Sequence, residues 1–301
     1  MIAHWDDVEP QRRDIGRLRG EWTDLGRAAG TRNVGLRRIR LGADEVPTPA
    51  HVHGTEEEIF FVLSGSGLSW QDGKTYEIHG GDCIVHLSQR EAHTLRAGDE
   101  SLAVLAFGHR MRTPGAYLPN AERFWLLPSW TEAGQGAHPF EEEPELEWPQ
   151  PSPRPPNIVH LDDAQSHEWR ERDGGGLVRS LGASAGSVTT GLNHETIPPG
   201  LLNTTPHCHS AEEEIFVILG GDGTLLLGDE EHAMRPGHVV ARPPGTRVAH
   251  AFRAGDVGLT MLSYGTREPN DITYYPRSGV FALRGIGLLG RIEPVDPSEI
   301  H

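Results

Sequence analysis

A stretch of ten residues that occurs twice decides the fold. Residues 51–60 read HVHGTEEEIF, and residues 207–216 read HCHSAEEEIF, 156 positions further along the chain. The same offset aligns residues 2–7 with residues 158–163, and after a slip of one position residues 93–99 align with residues 250–256. A repeat of this length indicates two copies of a whole domain, because solenoid repeats are only about 20–50 residues long.

The pattern within each copy is typical of β-structure. The short apolar runs Ile59–Leu63 and Ile215–Leu219 are bounded by turn residues and predict strands that are buried on both faces. The 37 glycines and 23 prolines favour many short strands with tight turns over long helices. The sequence therefore predicts an all-β protein with a sandwich or barrel in each copy. One short helix is expected, over residues Arg123–Trp130.

Composition and charge exclude several classes of protein. The chain has 301 residues and a formal net charge of −16. Nucleic-acid binding and attachment to anionic membranes both need a basic face, so neither is expected. The apolar runs are far shorter than the ~20 residues of a membrane-spanning helix, and the first residues lack the apolar core of a signal peptide. With only two cysteines in the sequence, we expect a cytoplasmic location.

A segment rich in proline separates the two copies. Residues 149–156 read PQPSPRPP, which predicts an extended and semi-rigid linker. We predict an N-terminal domain over residues 1–145, a linker over residues 146–157 and a C-terminal domain over residues 158–301, with a surface tail at residues 294–301. Two such domains can pack as a pseudo-dimer, so the intact chain is expected to be a monomer or a homodimer.

Histidines recur in each copy at a spacing that suits metal binding. Side chains at positions i and i+2 of a strand point to the same face, which applies to the pairs His51/His53 and His207/His209. Three glutamates follow each pair, and a further histidine, His93 or His250, comes about forty residues later. Three imidazoles and one carboxylate suit a divalent transition metal, here Fe, Mn, Zn, Ni or Cu, with up to two ions per chain.

Strand periodicity alone does not decide which glutamate joins each set. Glu57 lies four residues after His53 and would share its face on an unbroken strand. Glu58 lies five residues after His53 and needs a kink, which the Gly54-Thr55 pair could supply.

At these residues the chain resembles the cupin superfamily. The first motif of that family is Gly, five residues, His-x-His, three or four residues, Glu, six residues and Gly. Glu58 and Glu214 fit its spacing, since Gly65 and Gly221 follow them at the right distance. The second motif is Gly, five residues, Pro-x-Gly, two residues and His. The C-terminal copy has this motif before His250, with a last gap that is two residues longer, whereas the N-terminal copy keeps the histidine but lacks the Pro and Gly.

The resemblance covers both copies and implies a bicupin, with a small β-barrel (a double-stranded β-helix, or jelly roll) in each copy and a metal ion in each barrel mouth. The closest group is one of bacterial two-cupin proteins without an assigned function. The implied ligands are His51, His53, Glu58 and His93 in the first copy, and His207, His209, Glu214 and His250 in the second.

Several neighbouring residues receive structural rather than chemical interpretations. Strand alternation points Cys208 away from the metal, so it is expected to be a packing residue. Tyr274 and Tyr275 are expected to pin the chain after the last strand. Solvated charges are predicted at the strand entries, and these are Glu56, Glu57, Glu212 and Glu213. Surface positions are predicted for His86 and Arg242. Four side chains two residues from a ligand face either the cavity or the core, namely Phe60, Leu95, Phe216 and Phe252.

Two classes of function are compatible with this pattern. The first is a metal-dependent enzyme acting on a small polar metabolite, either as a dioxygenase or through Lewis-acid isomerisation, hydrolysis or elimination. In that case Glu58 or Glu214 would leave the metal and act as a catalytic base. The alternative is a non-catalytic module that binds a sugar or a small organic acid.

Overall fold

Strands make up most of both halves of the protein. The computed structural model describes residues 2–110, 115–126, 129–131, 140–141 and 143–291. The first half contains β1 (Ile2–His4), β2 (Gln11–Ile15), β3 (Leu18–Asp24), helix α1 (Leu25–Ala29), β4 (Val34–Leu41), β5 (Val52–His53), β6 (Glu58–Gln71), β7 (Lys74–His79), β8 (Asp82–His86), β9 (His93–His109), β10 (Gly115–Leu118), β11 (Arg123–Leu126) and β12 (Ser129–Thr131). The all-β prediction is confirmed.

The second half repeats this order. It contains β13 (Ile158–His160), a 3₁₀ turn (Leu161–Asp163), β14 (Ser166–Arg170), β15 (Gly175–Arg179), helix α2 (Leu181–Ser184), β16 (Gly191–Ile197), β17 (Cys208–His209), β18 (Glu214–Leu227), β19 (Glu230–Met234), β20 (His238–Arg242), β21 (His250–Gly265), β22 (Ile272–Tyr275), β23 (Val280–Leu283), a 3₁₀ turn (Arg284–Ile286) and β24 (Leu288–Arg291). We call β2–β12 the N-terminal barrel and β14–β24 the C-terminal barrel.

Each barrel combines a large antiparallel sheet with a small one. Among the described residues the large sheets have the orders β13-β8-β6-β9-β4-β3-β2 and β1-β20-β18-β21-β16-β15-β14, with β7 added to β6 and β19 to β18. The small sheets have the orders β12-β11-β10-β5 and β17-β22-β23-β24. The first strand of each half therefore pairs with the other half, β1 with β20 and β13 with β8.

The glycine that ends the first motif is required by the bend of the sheet. The pairing of β6 with β9 and of β18 with β21 shifts register around Gly65 and Gly221, as expected where a bulge curves a sheet into a barrel. Both glycines have positive φ, +82° and +76°. An added Cβ would lie 1.8 Å from the Ser101 carbonyl oxygen or 2.0 Å from that of Gly258, so no other residue fits.

The central strands are buried on both faces, as the sequence predicts. On β6, Phe60 and Val62 pack into the interior of the N-terminal barrel, whereas Ile59 and Phe61 pack against the other half. On β18, the corresponding alternation places Phe216 inside its barrel and Ile215 in the shared core. The two barrels thus share one apolar interface in addition to their separate interiors.

Two buried glutamates fasten the halves together at this interface. Glu57 accepts hydrogen bonds from the Val188 and Thr189 backbone N–H groups at 2.9 and 3.2 Å, and from the Ser187 and Thr190 hydroxyls. Its counterpart Glu213 accepts hydrogen bonds from three backbone N–H groups of the other half, those of Arg32, Asn33 and Val34.

The prediction that the glutamates beside the ligands are solvated charges was wrong. Glu57, Glu212 and Glu213 are buried, and Glu56 is half-buried. No local pattern reveals this burial, because the donors that satisfy Glu57 and Glu213 lie about 130 and 180 residues away along the chain.

The segment between the barrels runs over the outside of the N-terminal barrel. Ser152 donates its backbone N–H to the Thr75 carbonyl at 2.8 Å, and the Thr75 hydroxyl donates to the Pro149 carbonyl at 2.6 Å. Arg154 forms two hydrogen bonds of 2.6 and 2.7 Å to the buried carboxylate of Asp82. These contacts hold the proline-rich segment against the strands β7 and β8.

The helix expected over residues 123–130 does not form. Instead, β11 covers Arg123–Leu126 and pairs with both β10 and β12. Aromatic residues favour strands, and this segment has Phe124, Trp125 and Trp130 in its sequence. The predicted tail at residues 294–301 lies outside the described residues. Within the described part of the chain, no helix has the length and apolar character needed to cross a membrane.

Two candidate metal centres

The first cluster lies at the mouth of the N-terminal barrel. His53 ends β5, Glu58 begins β6 and His93 begins β9, while His51 pairs with His93 through an isolated β-bridge. His53 Nε2 lies 3.2 Å from both His51 Nε2 and Glu58 Oε2, and His93 Nε2 lies 3.1 Å from Glu58 Oε2. One nitrogen or oxygen of each of these four residues lies within 4.8 Å of the others.

The second cluster occupies the equivalent place in the C-terminal barrel. Donor atoms of His207, Glu214 and His250 lie within 4.8 Å of one another. His209 Nε2 lies 3.2 Å from Glu214 Oε2, and His250 Nε2 lies 3.0 Å from the same oxygen. The structure therefore brings all eight predicted side chains into two groups, with His209 slightly apart from the other two imidazoles.

The backbone between the histidines and the strand β6 resolves the question of which glutamate faces them. Regular strand structure stops at His53 and resumes at Glu58, so a period of two does not carry across the gap. Glu58 turns toward the imidazoles, and Glu57 turns toward the other half. The same interruption separates His209 from Glu214.

Acceptors beside the Nδ1 atoms, on the side of each ring that faces away from the cluster, fix the orientation of these imidazoles. The Nδ1 atoms of His51 and His207 lie 2.9 and 3.0 Å from backbone carbonyl oxygens, which accept hydrogen bonds from them. Glu56 Oε1 lies 2.9 Å from His53 Nδ1, and Asp271 Oδ2 lies 2.6 Å from His209 Nδ1. When the ring is neutral, such a partner leaves the Nε2 lone pair for the cluster and makes the nitrogen a better metal ligand.

Burial keeps several imidazoles neutral. Desolvation and the neighbouring histidines lower the pKa of His51 to about 3, and burial together with His86 lowers that of His93 to about 4. Burial and His250 lower the pKa of His207 to about 4. Burial also lowers the pKa of His250. Neutral imidazole is the form that binds a metal ion.

The remaining histidine of each cluster is held with its carboxylate as an ion pair. Burial is the largest single effect on His53 and opposes its charge, but Glu58 and Glu56 together outweigh it and raise its pKa to about 10. Asp271 and Glu214 do the same for His209, whose pKa rises to about 10. Burial raises the pKa of Glu58 and Glu214, yet the imidazoles hold both well below the usual range.

The donor atoms fit a divalent metal ion. His209 Nε2, Glu214 Oε2 and His250 Nε2 are buried without a hydrogen-bond partner among the described residues, although the two nitrogens lie 3.2 and 3.0 Å from the oxygen. Adjacent ligands of a six-coordinate ion are roughly 3 Å apart when the bonds are about 2.1 Å long. Atoms that converge at this spacing without hydrogen-bond geometry between them are the arrangement expected of ligands.

A cavity of about 520 Å³ opens onto the first cluster. Its walls include Trp22, Ile39, Phe60 and Leu95. The sequence left open whether Phe60 and Leu95 face the cavity or the core, and in the structure both line the cavity and also belong to the barrel core. The charged residues around it are Arg27, Arg37, Arg110, Glu56 and Glu58. Three cations therefore surround this cavity although the whole chain is acidic.

The surface positions predicted for His86 and Arg242 were wrong, because both side chains are buried beside the clusters. The His86 ring stacks on the ring of His93 at 3.7 Å, and Glu91 binds its Nδ1 at 2.8 Å. Arg242 donates to the Val248 carbonyl at 2.6 Å. Each is the last residue of a strand and faces Glu58 or Glu214 across the ladder, a pairing that no local sequence pattern reveals.

The tyrosines after the last long strand have separate surroundings. Tyr274 stacks on Phe281 at 4.4 Å, as Tyr117 stacks on Phe124 at 4.6 Å in the other barrel. The Tyr275 ring lies 5.7 Å from that of His207. Tyr274 thus has the structural contact expected from the repeat, and Tyr275 lies over the second cluster.

The family description "Cupin domain" matches the sequence twice, over residues 37–108 and 193–263. The protein is a bicupin of the cupin superfamily. Each match ends on the strand that begins with the last histidine of a cluster, so each barrel of the bicupin carries its own site. No curated protein matches the sequence.

Solved bicupins have the same fold. A formate complex of oxalate decarboxylase from Lactobacillus farciminis aligns over 88% of this chain and 86% of its own, with a TM-score of 0.61 and 16% identity. Oxalate decarboxylase from Bacillus subtilis at pH 4.6 aligns over 88% and 76%, with a TM-score of 0.58 and 14% identity. A structure of Bacillus subtilis oxalate decarboxylase described for its Mn(II) centres aligns over 90% of this chain and 78% of its own, with a TM-score of 0.59 and 14% identity. At these identities the likeness concerns the fold.

Proposed function

We propose that this bicupin is a metal-dependent enzyme that acts on a small organic acid and binds one divalent metal ion in each barrel. The observation that carries the proposal is the pair of buried clusters, each with three imidazoles and one carboxylate. His51, His53, Glu58 and His93 form the first proposed set, and His207, His209, Glu214 and His250 form the second. Four ligands leave positions of a six-coordinate ion open for a substrate.

The proposed substrate class follows from the cavity and the relatives. The N-terminal cavity has apolar walls and three arginines among its lining residues, which suits a small anion that also binds a metal ion. Relatives with this fold are described as oxalate decarboxylases, one with formate and one with Mn(II) centres. Manganese is accordingly the first metal to test, followed by iron, zinc, nickel and copper. A bound ion would supply Lewis acidity to the carboxylate.

We assign Glu58 and Glu214 the role of metal ligands in preference to that of catalytic bases. Their pKa values lie well below the usual range because imidazoles surround them, and a carboxylate with a low pKa is a weak base. A base at either position would also have to leave the ion that its barrel is proposed to hold.

Metal analysis of the purified protein, combined with three parallel assays, tests this function. We expect about two equivalents of metal per chain and turnover of at least one small carboxylic acid. Release of CO₂ without loss of O₂ indicates a decarboxylase, O₂ consumption indicates a dioxygenase, and a rearranged product without either gas indicates Lewis-acid isomerisation. Protein without metal after growth and reconstitution with each of the five metals would contradict the proposal.

Binding without catalysis is the second candidate, and the N-terminal barrel favours it. Among the described residues that line its cavity, both carboxylates are engaged by imidazoles, Glu56 by His53 and Glu58 by His53 and His93. A metal-loaded protein that binds organic acids in calorimetry but converts none of them would support this candidate over an enzyme.

A further inference from the structure

The inner wall of the C-terminal barrel carries a carboxyl group that the N-terminal barrel lacks. In the N-terminal barrel, the alternate residues Gly35, Arg37 and Ile39 of β4 line the cavity. The offset of the repeat places Gly191, Asn193 and Glu195 of β16 at the same positions. The register agrees, since Arg37 faces Ala106 on β9 and Asn193 faces Ser263 on β21. Glu195 therefore replaces the apolar Ile39.

Two polar neighbours hold this carboxyl group. The Ser263 hydroxyl donates a hydrogen bond to Glu195 Oε1, and Asn203 Nδ2 donates to Glu195 Oε2 at 3.3 Å. The Asn203 side-chain oxygen accepts the Phe252 backbone N–H at 2.8 Å, which fixes the orientation of the amide.

The N-terminal barrel has apolar residues at all three positions. Ile39 corresponds to Glu195, Ala106 to Ser263 and Pro47 to Asn203. A lone buried acid would be costly, but an acid together with both of its hydrogen-bond donors is a built site. The difference between the barrels is therefore a complete polar group and not a single substitution.

The surroundings of Glu195 favour its protonated form. Burial raises its pKa, the charge of Glu214 raises it further, and the hydrogen bonds from Ser263 and Asn203 oppose the shift. The two hydrogen-bond partners place the carboxyl group near the second cluster. Ser263 faces Phe216, which lies two residues after Glu214. Asn203 binds the backbone of Phe252, which lies two residues after His250. An acid with a raised pKa beside an open metal site is the arrangement that general-acid catalysis needs.

We propose that Glu195 is the proton-donating catalytic residue of the C-terminal centre, so that this barrel performs the acid–base step on the organic acid. The inference rests on the proposed function. In the step, one bond of the organic acid breaks, one fragment leaves, and the electron pair of that bond stays on an atom of the other fragment. The O–H bond of Glu195 breaks, and its proton forms a new bond with that atom. The O–H electron pair stays on the Glu195 carboxylate, which Ser263 and Asn203 stabilise until water returns a proton. No oxidant or reductant is required.

Replacement of the acid by its amide tests the proposal. The variant Glu195→Gln keeps the shape and should keep two metal equivalents per chain, but its kcat should fall by about 10²-fold or more with little change in KM. The matched control is Glu230→Gln, the same acid-to-amide change at an exposed glutamate of the same barrel, which should retain kcat. Full activity of Glu195→Gln, or loss of the C-terminal metal from it, overturns the assignment.

A second variant and a spectroscopic measurement keep the proposal testable if Glu195→Gln folds poorly. Infrared difference spectra recorded as a function of pH should show a carboxyl band in the wild type that Glu195→Gln lacks and that titrates above the usual range of a glutamic acid. A band that titrates within the usual range overturns the proposal. Ser263→Ala removes a bond that stabilises the carboxylate, so the alkaline limb of the pH–rate profile should move to higher pH. An unmoved limb counts against Glu195. A wild type that loads two metals yet converts no acid overturns the proposed function and this inference together, whereas an active Glu195→Gln overturns only the latter.

Discussion

The two barrels share their clusters and differ in what surrounds them. Both have three imidazoles and one carboxylate at equivalent positions, each cluster with a carboxylate behind one imidazole. The wall beside the first cluster has Ile39, whereas the wall beside the second has Glu195. Across the ladder from the cluster glutamate lies His86 in one barrel and Arg242 in the other. The proposed metal ligands are therefore the same in both barrels, whereas the walls of the two sites differ in chemistry.

The largest expected effect is the loss of one metal ion from one barrel. Removing the imidazole of the last histidine in His250→Ala takes away a ligand of the second centre only. We expect about one metal equivalent per chain to remain, held by the first centre. The mirror variant His93→Ala should leave the C-terminal metal in place. Both values come from metal analysis after gel filtration, and loss of both ions from either variant would show that the barrels are not independent.

The next largest effect concerns the fastening of the halves. Glu57→Ala removes the acceptor of the Thr190 hydroxyl and of two backbone N–H groups of the other half, whereas the Ser187 hydroxyl keeps the Thr190 carbonyl. We expect the free energy of unfolding to fall by about 2–4 kcal/mol, because unpaired buried donors are costly. Glu213→Ala should have a similar effect through its three backbone donors.

Denaturant titration measures both changes. Glu230→Ala is the matched control, since that glutamate is exposed and its loss should change stability by less than about 0.5 kcal/mol. If Glu57→Ala and Glu213→Ala were as stable as this control, the hydrogen bonds between the halves would not contribute as we infer.

A smaller effect distinguishes the carboxylates behind the imidazoles. In Asp271→Asn the amide keeps an acceptor for the Ala211 and Glu212 backbone N–H groups but removes the charge beside His209 Nδ1. We expect the metal affinity of the C-terminal centre to fall about 10–100-fold, with the N-terminal centre unchanged. Glu56→Gln should weaken only the N-terminal centre. Competition with a chelator gives both affinities, and a common change at both centres would contradict separate roles.

The smallest effect is a release of protons on metal binding. His53 and His209 have pKa values of about 10, so each is protonated at pH 7 in the metal-free protein and must lose its proton to bind an ion. We expect about one proton per centre, with metal affinity that rises as the pH rises from 7 towards 10. Calorimetry in two buffers with different heats of ionisation measures the number of protons released per metal ion bound. Heats that do not depend on the buffer would contradict the ion pairs in both clusters.

The order of strands and the grouping of the histidines were accessible to sequence reasoning. Apolar runs such as Ile59–Leu63 report burial directly, because only a strand that is covered on both sides can be apolar throughout. The motif glycines, including Gly65, report a bend where no Cβ fits. The segment 123–130 shows the limit, since its composition suits a strand only when neighbouring strands are there to pair with it.

The sequence by itself determined that the chain has two copies of one β-domain, because the repeat stays in register over most of its length. Spacing along a strand paired the two histidines of each His-x-His motif, and the resemblance to the cupins added the glutamate and the last histidine of each set. Only the tertiary structure decided the roles of the residues between the motifs. It exchanged the first strands between the halves, buried Glu57 and Glu213 in the interface, and placed Glu195 beside Ser263 and Asn203. These contacts join residues that are far apart in the chain, so no local pattern records them.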